Sequence, residues 1–156
     1  MVNQNNINVS VLDKLIIGRV EPHIYAFSTE TVPNYLKVGD TDRPIESRLN
    51  EWRKFFPNLE KQFTEIAKVD DETFYRDFAI HYFLENELKK ERLDKKTIKN
   101  LPYFSNEFFK NATNKDIKDA IKDIKNNYDK NNNKYQYYKF DESRIPAANI
   151  FSRMLS

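Results

Sequence analysis

The sequence predicts an α+β domain, a small three-stranded antiparallel sheet flanked by helices. Two short runs rich in β-branched and aromatic residues, 23–28 (HIYAFS) and 34–40 (NYLKVGD), flank a short polar connection with one Pro, which is the pattern of an antiparallel hairpin. A third run, 63–69 (FTEIAKV), supplies the third strand. The segments 44–56 and 72–91 carry apolar residues at helical spacing, and an amphipathic helix must bury that stripe against a sheet or another helix.

Taken in order, residues 1–10 are polar and Asn-rich, and 11–22 place Val11, Leu12, Leu15, Ile16 and Ile17 at helix-like spacing before Gly18. Residues 1–22 therefore read as an N-terminal helical extension. After the hairpin, Asp42-Arg43-Pro44 is a helix-start signal, with Asp42 as cap and Pro44 in the first turn. That helix is expected to reach Phe56 and stop before Pro57. The strand 63–69 leads into a long helix, 72–91. Residues 94–105 then read as a loop or short helix, and 106–110 (NEFFK) as a short strand or turn. Thr113 or Asn114 caps a last helix with Ile117, Ala120, Ile121 and Ile124 on one face. The Asn- and Lys-rich stretch 126–134 reads as a linker, and 135–156 either docks on the domain or leads to a further one. The main domain is thus expected at 23–125, with 126–156 as linker and C-terminal segment.

Composition narrows the function classes. The 156 residues suit one domain, and 39% hydrophobic with 32% charged residues suits a globular one. The sequence has no Cys, which excludes a disulfide scaffold, a thiolate zinc site and a thiol nucleophile. No apolar run approaches the roughly 20 residues of a membrane span, and the N-terminus lacks a secretory pattern, so no membrane partner and a cytoplasmic location are expected. A net charge of +2 does not mark a nucleic-acid binder, so any DNA contact requires a local arrangement of charge.

Three polar residues fall where apolar ones are expected. On a wheel of the 44–56 helix, Ile45, Leu49, Trp52, Phe55 and Phe56 share one arc, and Arg48 falls inside it. A guanidinium there needs a carboxylate, a phosphate or a route to solvent. In 72–91, Phe74, Phe78, Leu84 and Leu88 define the main apolar arc, and Asp77 and His81 lie within it one turn apart. Such a pair either supports the fold or forms a metal or proton-transfer site. In the hairpin, Lys37 lies on the face opposite Leu36 and Val38, and Tyr25 shares that face in one register. Gly39, one of two glycines, allows close approach directly after this strand.

Together these residues resemble the GIY-YIG nuclease superfamily. His23-Ile24-Tyr25 and Lys37-Val38-Gly39 resemble its two name motifs, with His23 in place of the first Gly and Lys37 in place of the second Tyr. The resemblance is closest to the branch with a Lys-Ile/Val-Gly-x-Thr second motif, found in phage proteins and at the head of restriction-type helicases. Lys37 to Thr41, then Arg48, then Asp77-x-x-x-His81, then Glu107-Phe108-Phe109 follow its order over about residues 23–125. The resemblance implies a DNA endonuclease domain using Mg²⁺ or Mn²⁺, within a restriction or phage-defence enzyme, and a fused or associated helicase, translocase or specificity domain as partner. It implies Tyr25, Lys37, Arg48, His81 and Glu107 as catalytic residues and Gly39 and Thr41 as motif structure. Asp77 or Glu107 would bind the metal, Tyr25 would activate water, and Arg48 would bind phosphate. The alternative is a nucleic-acid-binding or protein-interaction module that kept the fold and lost catalysis.

Overall fold

A computed structural model describes residues 21–140. The expected helix at 11–22 lies almost wholly outside the described residues. Among the described residues the chain is α+β, and every strand pairing is antiparallel. Strands β1 (His23–Ser28) and β2 (Tyr35–Thr41) form the predicted hairpin, with Tyr25 opposite Gly39 and Phe27 opposite Lys37. Strand β3 (Glu60–Ile66) adds beside β1, and β6 (Phe108–Lys110) beside β2, giving the order β3-β1-β2-β6. The main sheet therefore has four strands instead of three, because residues 108–110 pair fully with β2. A second, small sheet is built from β4 (Lys68–Asp70), β5 (Thr73–Phe74) and β7 (Tyr138–Lys139).

Strand alternation divides the core between the two faces of the main sheet. Ile24, Ala26, Leu36 and Val38 face one way and pack on helices α2 (Asp77–Tyr82) and α3 (Asn114–Asp129). Tyr25 and Phe27 face the other way, onto Leu49, Trp52 and Phe56 from helix α1 (Ile45–Arg53) and the turn after it. The sheet is thus covered on both faces. Among the described residues, no helix is long and apolar enough to cross a membrane.

Several expected elements are redrawn. The N-cap position of α1 falls on Pro44 and not on Asp42, and Thr41 Oγ1 accepts the Arg43 amide. The helix ends at Arg53, so Phe55 leaves the apolar arc and stands exposed while Phe56 is buried. The long helix expected over 72–91 is only Asp77–Tyr82, continued by a wider π-turn, Phe83–Glu87. Before it, Asp70 Oδ1 accepts the Glu72 amide in a local turn that folds Thr73–Phe74 back as a strand. Behind it, Lys89 takes a left-handed φ of 57°, which ends the helix. The true buried face of α2 is Ala79, Ile80 and His81, and Phe78 is exposed.

Thr113 caps α3 in a reciprocal capping box with Asp116. The expected linker at 126–134 starts later, since α3 runs through Asp129. The chain then returns to the domain. Lys134 bridges Asp123 and Glu87, Tyr135 is buried, and β7 pairs with β5. The polar composition of this stretch serves ion pairs with α3 that a hydrophobicity pattern does not register.

Candidate functional site

Lys37 is the starting point because its burial is the most costly feature of the site. It is not an edge residue: β2 is flanked by β1 and β6, and Lys37 has no exposed surface. Its ammonium lies 2.9 Å from Glu107 Oε1, 4.5 Å from the centre of the Trp52 ring and 5.4 Å from that of Tyr25. One carboxylate and two aromatic faces replace the water it lost. Glu107 is delivered by β6, which brings residue 107 alongside Val38, whose amide donates to the Glu107 carbonyl. Burial alone would raise the Glu107 carboxyl, but the charge and hydrogen bond of Lys37 outweigh it and hold the pKa below the ordinary value.

Tyr25 lies on the same face as Lys37. Trp52 Nε1 donates to its hydroxyl oxygen at 2.8 Å, and an indole N–H can only donate, so the Tyr25 proton remains free for another acceptor. A Cβ placed on Gly39 would come within 2.6 Å of the Tyr25 oxygen and 3.0 Å of Lys37 Nζ. Gly39 is therefore the floor over which these two groups converge. Gly39→Ala should cost about 1–3 kcal/mol in chemical denaturation, because neither buried neighbour can retreat. It should also shift the emission of Trp52, the chain's single Trp, by displacing its Tyr25 partner. A fully tolerated Ala would show that the two groups are not fixed there.

Arg48 takes its partner from its own helix: Nη1 donates to Glu51 Oε1 at 3.1 Å, and its guanidinium lies 5.4 Å from the Trp52 ring centre. It is part-exposed. Burial opposes its charge, but Tyr25 and Glu51 outweigh that and raise its pKa. Arg48 thus sits beside Tyr25 with a route to solvent.

Asp77 and His81 stand one turn apart on α2 as predicted, and they meet Glu107. One ligand atom from each of the three lies within 4.8 Å of the others. His81 Nε2 lies 2.8 Å from the Val38 carbonyl oxygen; a carbonyl only accepts, so Nε2 carries the proton and Nδ1 keeps its lone pair. Burial lowers the His81 pKa, which keeps the ring neutral at pH 7. Burial, then the Asp40 and Glu107 charges, push the Asp77 carboxyl up to about 7. Asp77 is pushed up while Glu107 is held down, so of the two neighbouring carboxyl groups Asp77 is the one that takes up a proton first. Two carboxyl groups and an imidazole nitrogen suit a divalent cation such as Mn²⁺, or Mg²⁺ with water in the remaining positions. Thr41 serves the frame, turning the chain from β2 into α1.

Two further residues belong here that sequence reasoning did not single out. Asp40 Oδ2 accepts the Asp77 amide at 2.9 Å and Arg76 Nε at 2.7 Å, fixing the start of α2 against the end of β2. Its signal was an acid directly after the only hairpin glycine. Trp52 joins Tyr25, Lys37 and Arg48 through one indole. Its signal was its place one turn from Arg48 in the helical arc. No family model, no curated protein and no solved structure matches this chain.

Proposed function

We propose that the chain is a metal-dependent endonuclease domain that hydrolyses phosphodiester bonds in DNA, with a GIY-YIG-like arrangement and a place in a restriction or phage-defence enzyme. The observation that carries this reading is the meeting of a fully buried ammonium, Lys37, with the Asp77–His81–Glu107 donor set through one shared carboxylate. A lysine buried beside two acids adds little to stability, since an apolar side chain there is often as good or better, and that favours a chemical use for it. Part-exposed Arg48 would bind a phosphate and the charge that develops on it, while buried Lys37 would act only through its field on the neighbouring groups. Tyr25, whose hydroxyl proton Trp52 leaves free, would donate to and orient a water, and neutral His81 is available as a ligand or as the proton acceptor. Asp77, Glu107 and His81 would hold Mg²⁺ or Mn²⁺, whose chemistry is to stabilise the charge of the scissile phosphate and its leaving oxygen.

A second reading, a nucleic-acid-binding module without catalysis, is favoured by one observation: Lys37 neutralises Glu107 while Asp77 holds a proton near pH 7, which together weaken the pull on a cation. Incubating supercoiled plasmid with Mg²⁺ or Mn²⁺ discriminates between them. Nicking that Tyr25→Phe and Arg48→Ala each reduce at least 100-fold is expected, the scale on which a positioned proton-transfer group or charge donor contributes. DNA bound but uncut under either metal would favour the second reading.

A further inference from the structure

The wall of the site continues outward as aromatic surface. Phe55, 38% exposed, and Tyr103, 47% exposed, come from two separate segments and stack on each other, with ring centres 4.8 Å apart and planes 29° apart. The Tyr103 and Trp52 rings meet edge to face with centres 5.6 Å apart, and Trp52 donates to Tyr25. Two contacts therefore lead from the open pair to the candidate catalytic hydroxyl. Pro57 follows shortly after Phe55, and Pro102 precedes Tyr103, so the backbone that presents both rings is restrained. The same two segments carry cations: Lys54 precedes Phe55, and Lys95, Lys96 and Lys99 lie on the stretch that leads to Tyr103, all four exposed, while Arg48 stands against Trp52. Exposed stacked rings on segments that also carry exposed cations suit a ligand with a flat π-face and a polyanionic backbone.

We propose that Phe55 and Tyr103 form a shelf on which a nucleobase beside the scissile phosphate stacks, so that the preferred substrate is DNA unpaired at that nucleotide. The proposal rests on the nuclease reading for the position of the phosphate. In an intact duplex both faces of each base are covered by its neighbours, and only an unpaired or splayed base offers one to a protein ring. A single strand, a flap or a bulge meets that requirement.

The test is binding of a labelled single-stranded DNA oligonucleotide and of its duplex, by fluorescence anisotropy in EDTA, so that no cleavage occurs. The single strand is expected to bind tighter than the duplex and to quench Trp52. Phe55→Ala and Tyr103→Ala, singly and together, should weaken the single strand about tenfold per stacked base lost while leaving the duplex nearly unchanged. Tyr103→Phe, which keeps the ring, should bind like the parent. Equal binding of the two DNA forms, insensitivity to both Ala variants, or a Tyr103→Phe as weak as Tyr103→Ala would each overturn the shelf. Plasmid nicking is scored separately. Ring-dependent single-strand binding without nicking overturns only the nuclease reading, and nicking with ring-independent binding overturns only the shelf.

Discussion

Glu107→Gln is expected to cost about 2–3 kcal/mol of stability and on the order of 10 °C in melting temperature. Lys37 has no exposed surface, and Glu107 Oε1 is the hydrogen-bond acceptor that faces its ammonium. The Gln variant keeps the shape and an acceptor oxygen but leaves the ammonium without a countercharge in an apolar setting. Removing one member of a buried pair typically costs about 3–5 kcal/mol. The cost falls below that range because the Glu107 side chain is 33% exposed, so water shares its solvation. The double variant Lys37→Met, Glu107→Gln should recover most of the loss, since neither charge is then stranded. Lys37→Met alone should cost less than Glu107→Gln, and least in acid. Without Lys37, burial raises the Glu107 carboxyl above its unfolded value, so that variant gains stability as pH falls and loses it as pH rises. Urea denaturation of the three variants at pH 5 and pH 8 reads all of this. A double variant as unstable as Glu107→Gln would mean that Lys37 is tolerated without a partner.

What the sequence made legible follows from period and type. The hairpin was readable because β-branched and aromatic residues flank a polar connection, and the shared face of Tyr25 and Lys37 follows from strand alternation once Tyr25 pairs with Gly39. The Asp77–His81 juxtaposition needed only a one-turn spacing, so it survives even though the expected long helix shrinks to Asp77–Tyr82 and its phase was misread at Phe78. The burial of Lys37 was not legible, because it depends on β6 pairing beside β2 and on Trp52 lying across the ammonium. Both are contacts between residues far apart in the chain. Asp40 was hidden for the same reason: its partners, the Asp77 amide and Arg76, lie more than thirty residues away. The exposed Phe55–Tyr103 stack was missed because a wheel extended past the true end of α1 places Phe55 in the core.

Asp77→Asn is expected to abolish nicking and, at pH 8, to stabilise the fold by on the order of 2–3 kcal/mol. The sign follows from the direction of the shift. Burial, Asp40 and Glu107 push the Asp77 carboxyl from 3.8 to about 7 in the folded chain. Below pH 4 the group is protonated whether folded or not, so it contributes nothing to pH dependence. Between pH 4 and pH 7 the unfolded chain gives up this proton first, so stability falls as pH rises; above pH 7 both states are ionised and the loss is complete. Asn carries no proton to lose, so the variant should match the parent near pH 4 and exceed it increasingly up to pH 7. A divalent cation acts on the same term from the other side. Mn²⁺ should raise the melting temperature of the parent, with an affinity that falls up to tenfold per pH unit below 7 as the proton competes for Asp77, and should do far less for Asp77→Asn. A purely structural Asp77–His81 pair demands the opposite, a variant less stable than the parent at every pH and indifferent to the metal. Melting curves at pH 4, 6 and 8, with and without Mn²⁺, separate a carboxylate kept at a cost to stability for its chemistry from one kept for the fold.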